Sequence, residues 1–408
     1  MHHSRLPVLL CGALVVLSTV AGTAATRASG AVSASAPDVE QLRVPPGSVD
    51  AQLNAVSCWA VGSCVTGGTT SSEAKRSRGV ISTEVHGVWG PLNVVGPTTG
   101  ANSIIGLACP ASGSCVAIGT NVVAATPESS SQASSFMITQ RGSEWSAPHV
   151  IPLSSFDPFA VQCPSPTLCV VIGRAAQLVA LTWNSGKWSA PHDFYLSDFG
   201  KNVRDAYLPS LSCTSINWCI AVGQDVNVAS NSPQAVSVIM KNGQWGRPTT
   251  LVGYHDSTDG NFLDSVSCVA KGSCTATGGT LYDPANPVPL VMTQSHGQWK
   301  KAKVLSKPGL ALATNESMAL SPVSCASDTQ CTGLLMAYPS TLVSGVAATR
   351  SAGHWTVDHF THLGAFFVPQ LTALTCLKGT CVAVGNVTTQ SNGAGTRVPV
   401  VVTSRGAW

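Results

Sequence analysis

Fourteen of the fifteen cysteines in this chain fall into seven close pairs, and that regularity restricts the fold more than any other feature of the sequence. The pairs are Cys58 and Cys64, Cys109 and Cys115, Cys163 and Cys169, Cys213 and Cys219, Cys268 and Cys274, Cys325 and Cys331, and Cys376 and Cys381. First-cysteine spacings run 51, 54, 50, 55, 57 and 51, and each pair is answered downstream by a tryptophan: Trp89, Trp145, Trp188, Trp245, Trp299, Trp355 and Trp408. A length of 408 residues ordinarily suggests two or three domains. The repeat overrides that expectation, because units that share a core fold together.

Each repeat reads as four short strands. In the first they are expected at residues 53–58, 64–67, 80–85 and 89–95, and in the fourth at 208–213, 219–222, 235–240 and 245–252. These runs are rich in Val, Ile and Thr and bounded by Gly, Asn and Pro, and no stretch after the leader keeps a helical period for three turns. The fold class that follows is all-β: a seven-bladed β-propeller of four-stranded blades, one domain over 38–408. Units such as Asn242-Gly243-Gln244-Trp245 fit the turn between third and fourth strands, with the tryptophan packed between blades. Trp408 opens a fourth strand with no chain behind it, while Val39 to Pro45 is spaced from Cys58 much as His149 to Pro152 is from Cys163. An N-terminal strand at 38–46 is therefore expected to complete the last blade and close the ring.

The leader bears on the cysteines. Arg5, the apolar run Val8 to Val20 and the small residues Ala21 to Ala25 make residues 1–29 a signal peptide and leader, followed by a flexible segment at 30–37. The apolar run is too short for a membrane anchor, and Leu10 before Cys11 departs from a lipoprotein signal. Export makes disulfides the expected state of all fourteen remaining cysteines. Zinc fits poorly, since no histidine lies inside any of the seven short rings. Each bridge would staple the end of a first strand to the start of a second and contribute on the order of 2 kcal/mol. Removing Arg5 and Arg27 leaves 20 basic against 19 acidic residues, which gives no electrostatic case for nucleic acid or an anionic membrane.

At this point the chain resembles secreted bacterial Cys-clamped propeller repeats, and its Gly-x-Trp turn is similar in placement to the Asp-box turn of sialidase-like propellers. The turns here, Asn184-Ser-Gly186-Lys-Trp188 and Ser295-His-Gly297-Gln-Trp299, lack the Asp before the Gly. The resemblance implies a fold and carries over no catalytic residue. Propellers host hydrolases, lyases, lectins and scaffolds alike.

Candidate chemistry therefore has to come from the variable loops, expected on the face opposite the cysteine hairpins. Two connectors, 193–207 and 253–264, hold six of the thirteen aspartates. Asp205 and Asp256 are the candidates for acid and base roles. Asp198, Lys201, Arg204, Tyr207, Tyr254 and His255 are the candidates for binding a substrate. Arg174, Arg204 and Arg397 could each clamp an anionic group. No cofactor is expected; Asp256, Asp259 and Asn261 have a loose calcium-loop flavour without EF-hand spacing. The leading reading is a secreted, monomeric propeller that binds an extracellular glycan or protein through its loop face, in the medium or at the cell envelope. The alternatives are a glycan-cleaving hydrolase or lyase with carboxylates at 198–264, and a structural envelope protein.

Overall fold

A computed structural model describes residues 37–73, 76–125, 130–254, 260–281, 288–305, 317–338, 346–359, 370–391 and 394–405. They form seven antiparallel sheets. Blade 1 has strands Ser48–Ala60, Ser63–Ser72 and Ser77–Val85 with a fourth strand in two pieces, Val88–Trp89 and Asn93–Val95. Blades 2 to 5 repeat this order. The fourth strand was expected unbroken. In blades 1 to 4 it is interrupted at Pro91, Pro148, Pro191 and Pro248, where the missing N–H cannot continue the ladder. Blade 5 breaks at Lys300–Ala302 without a proline, and blade 6 has one continuous fourth strand, His354–His359. One short helix, Leu196–Phe199, interrupts the connector between blades 3 and 4.

The first strands of adjacent blades touch around a complete circle, blade 7 against blade 1 included, which makes them the innermost ring. Closure is by the N-terminal strand. Asp38–Gln41 pairs antiparallel with Ala394–Arg405, Val39 facing Val402, and completes a sheet otherwise built from the end of the chain. Regular pairing is shorter than the expected 38–46. Beyond it Leu42 donates to the Pro399 carbonyl at 3.1 Å and buries its side chain against Trp89 and Leu92 of blade 1.

All seven cysteine pairs are disulfides, with Cα separations of 3.9 to 4.1 Å. The hairpin turn they clamp lies beside the turn between third and fourth strands. Gly87 donates to the Gly62 carbonyl at 2.8 Å in blade 1, and the same bond recurs as Gly142 to Gly113, Ser185 to Thr167, Asn242 to Asn217 and Gly297 to Gly272. Both sets of turns thus share one face, and Asn242 and Gly243 adopt the positive φ, 53° and 78°, that the tight turn requires.

The described core is a set of seven clusters, one at each seam between blades. Trp89, Trp145, Trp188, Trp245, Trp299 and Trp355 each pack against one of them, as expected for architectural residues. Trp408 lies outside the described residues.

Two further regularities were not foreseen. Every first strand has a β-bulge near the position four residues before its first cysteine. In six blades a glycine faces the bulge from the second strand. At Gly223 a Cβ would lie 1.9 Å from the Tyr207 carbonyl oxygen, so only glycine fits. Second, a serine just before a cysteine reaches the next blade: Ser57, Ser212, Ser267 and Ser324 accept from the backbone N–H of Cys109, Cys268, Cys325 and Cys376 at 2.9 to 3.0 Å.

Candidate functional site

The connector between blades 3 and 4 leads into the first strand of blade 4, Val203–Ser215. Asp198 caps the short helix by accepting from the Tyr195 N–H at 2.9 Å. Lys201 and Arg204 are exposed, Arg204 at an irregularity between Val203 and Asp205. Asp205 accepts from Arg174 Nη2 at 3.0 Å and from the Ala206 N–H at 2.9 Å. Arg174 Nη2 also donates to the Ala206 carbonyl. The pair is half exposed and joins blade 3 to blade 4.

Two residues on, Tyr207 is 37% exposed. Its ring meets Phe159 of blade 3 edge-on, with centroids 4.8 Å apart at 66°. Burial pushes the Tyr207 hydroxyl above its ordinary value, the carboxylates of Asp264 and Asp157 add to that, and Arg174 opposes it. Asp264 itself is pushed up to about 6 by burial, and burial also raises Asp157. Behind this surface Asp225, 1% exposed, faces Ala206 across the sheet; burial raises it to about 6 and its Oδ1 has no hydrogen-bond partner.

The structure therefore gathers Tyr207 and Asp205 with Asp157, Phe159, Arg174 and Asp264 from three adjacent first strands and one second strand. Tyr254 packs on the seam between blades 4 and 5, and its N–H donates to Asn261 Oδ1 at 3.2 Å. His255, Asp256 and Asp259 lie outside the described residues. Arg397, a candidate clamp, binds Asp50 with Nε at 3.0 and 3.1 Å and joins blade 7 to blade 1.

Sequence reasoning missed Phe159 and Asp157, and gave Asp264, the last residue of the 253–264 connector, no role. The signal was present in the column four residues before each first cysteine: Asn54, Ile105, Phe159, Pro209, Asp264, Ser321 and Thr372. Two of the polar members reach the next blade: Asn54 Nδ2 donates to the Ile104 carbonyl at 3.0 Å and Thr372 Oγ1 to the Leu53 carbonyl at 2.6 Å. Asp264 is the one carboxylate in that column. Among the described residues no cluster of His, Cys, Asp and Glu is arranged to hold a metal ion.

No family model matches the chain, and no curated protein does. Solved structures do. YCF48 bound to a D1 peptide aligns over 92% of this chain and 97% of its own at 11% identity and a TM-score of 0.53. A protein of unknown function from Dyadobacter fermentans aligns over 91% and 98% at 10% identity and a TM-score of 0.52. Ulvan lyase bound to a GlcA(1-4)Rha3S saccharide aligns over 91% and 95% at 8% identity and a TM-score of 0.51. Likeness at these identities is one of fold: the chain is a seven-bladed β-propeller with a disulfide in every blade.

Proposed function

We propose that this is an exported propeller that binds an extracellular glycan or protein at the surface around Tyr207. The observation that carries the reading is the exposed Tyr207 ring held edge-on by Phe159, a rigid aromatic platform flanked by a cation, Arg174, and carboxylates. Export is supported by the apolar leader and by seven disulfides; no described helix is long and apolar enough to cross a membrane. A propeller of the same fold is bound to a peptide and another to a saccharide, so both ligand classes suit the scaffold. The test is a glycan array and a protein pull-down from spent medium, each repeated with Tyr207→Ala. Loss of about tenfold in affinity supports the reading, and unchanged binding by the variant refutes it.

A second reading, a glycan-cleaving hydrolase or lyase, draws on Asp264. A carboxyl at about 6 beside a tyrosine has the proton affinity of a general acid. Polysaccharide degradation that survives in the parent and vanishes in Asp264→Asn would favour it over binding alone.

A further inference from the structure

A cleft of about 750 Å³ opens between the outer strands of blades 5 and 6, beside the cysteine and Gly-x-Trp turns and away from Tyr207. Lys300, Lys301, Lys303 and Arg350 line it, with Trp355 and His354 at the same wall. A chain with nearly balanced charge has collected four cations here. Among the described residues the two ion pairs are Arg174 with Asp205 and Arg397 with Asp50, so none of the four is ion-paired to a described carboxylate. The carboxylate of Asp328 lines a small adjoining cleft and accepts from the Ser273 hydroxyl at 2.9 Å, while Arg350 Nη1 donates to the Asp328 backbone carbonyl at 2.8 Å.

The repeat supplies an internal control. In blades 1 to 4 the residue after the turn tryptophan is Gly90, Ser146, Ser189 or Gly246, so the scaffold does not need Lys300. Facing that tryptophan across the sheet stand Glu84, Gln140, Trp183, Met240 and Gln294 in blades 1 to 5, and Arg350 in blade 6. A cleft of about 690 Å³ occupies the matching rim between blades 2 and 3, yet Arg141 is the one Lys or Arg that lines it. The concavity thus recurs with the architecture, and of the two clefts the cluster of cations belongs to this one.

Like charges held together repel one another, and apolar walls such as Val304 and Leu305 focus their field into the cleft. We propose that this cleft binds an acidic polysaccharide, its carboxylate or sulfate groups on the lysines and Arg350 and a sugar face on Trp355. Arg350 matches such oxyanions with two parallel N–H groups, and the cleft has the volume of a site for a few sugar units. A single open cleft with an aromatic wall suits a glycan better than a duplex, whose phosphates call for an extended basic surface.

The experiment measures binding of the intact, disulfide-bonded protein to immobilised alginate (carboxylate) and heparin (sulfate), with dextran and duplex DNA as competitors, across a salt series. The expected result is salt-sensitive binding to one or both acidic glycans, weakened about tenfold in the exposed-surface variant Lys300→Gln/Lys301→Gln/Lys303→Gln and unchanged in Arg141→Gln. Which of the two glycans binds identifies the anionic group. The proposal is overturned if neither acidic glycan binds, if the triple variant binds as the parent does, if Arg141→Gln loses as much, or if dextran or duplex DNA competes equally. Circular dichroism of the variants confirms that the fold is kept.

Discussion

The seam that closes the ring and the seams that follow blade 4 are held by different chemistry. From blade 4 to blade 7 each junction has a neutral latch, a serine hydroxyl accepting an N–H of the next first strand. Two of these seams carry a second, Ser210 to Val266 and Ser265 to Val323, both at 3.0 Å. At the closing seam Thr375 stands in place of the serine, and the junction uses charge instead, Arg397 with Asp50. The seam between blades 3 and 4 does the same with Arg174 and Asp205, and Asp50 and Asp205 occupy the same place, eight residues before a first cysteine. Both charged seams also contain a buried carboxylate with an unpartnered oxygen, Glu84 and Asp225. Burial pushes Glu84 above its ordinary value, the Glu40 carboxylate of the closing strand adds to this, and Arg405 opposes it. The ion pairs make the charged seams sensitive to salt, whereas the serine latches carry no charge to screen.

The largest break in this comparison should come from removing residues 38–42. That uncovers the edge of Ala394–Arg405 and takes Leu42 out of the closing core, so unfolding should come at least about 4 kcal/mol, or roughly 5 °C, earlier, with aggregation visible by size exclusion. Next in size, Gly223→Ala and Gly385→Ala each drive a Cβ to within 1.9 Å of a carbonyl. Each should cost about 3 kcal/mol by chemical denaturation, and equal losses would show that the closing blade is no weaker than its neighbour across the ring.

The pH test sharpens the contrast. Asp225 has a folded value of about 6, above that of the unfolded chain, so the native state binds the extra proton. Its stability contribution is greatest at low pH and is lost as pH rises through about 6, a change of about 2 kcal/mol between pH 4 and 7. Asp225→Asn should flatten that part of the profile, and Glu84→Gln should act in the same direction at the closing seam. A profile unchanged in both would remove the buried carboxylates from the account. Ser267→Ala leaves the Cys325 N–H without its partner and should cost about 1 kcal/mol at any pH. Smallest is Arg397→Ala, under about 1 kcal/mol because the pair is partly exposed, and its effect alone should shrink in 0.5 M salt, a concentration chosen to bring screening down to about 4 Å.

Repetition decided what could be read in advance. Seven copies of a cysteine pair, each answered by a tryptophan just behind a turn glycine, made blade number, bridges and turn geometry legible, since each copy repeats the same constraint. The spacing of Val39 to Pro45 even placed the closing strand. The functional surface had no such support. Tyr207 and Asp205 sat in a connector rich in turn residues, while their partners Asp157, Phe159, Arg174 and Asp264 come from strands tens of residues away. Arg174 and Arg397 looked like free clamps because nothing local shows that Asp205 and Asp50 meet them across a seam. The lysines at 300, 301 and 303 were plain in the sequence, but a near-zero net charge concealed that one cleft collects them.

The bulge column has a geometric consequence for anything that approaches along the axis. A perfect sevenfold ring would present the same group at every azimuth and could not orient a ligand about its own long dimension. Here the backbone keeps the rotation nearly sevenfold while the residues at the bulges read Asn, Ile, Phe, Pro, Asp, Ser and Thr in order, with a single ionisable group among them at Asp264. A ligand with one cationic end that reached this ring would meet a single ionisable partner among the seven positions, Asp264, beside the Tyr207 surface. Polarity about the axis comes from seven side chains and needs no distortion of the wheel that carries them.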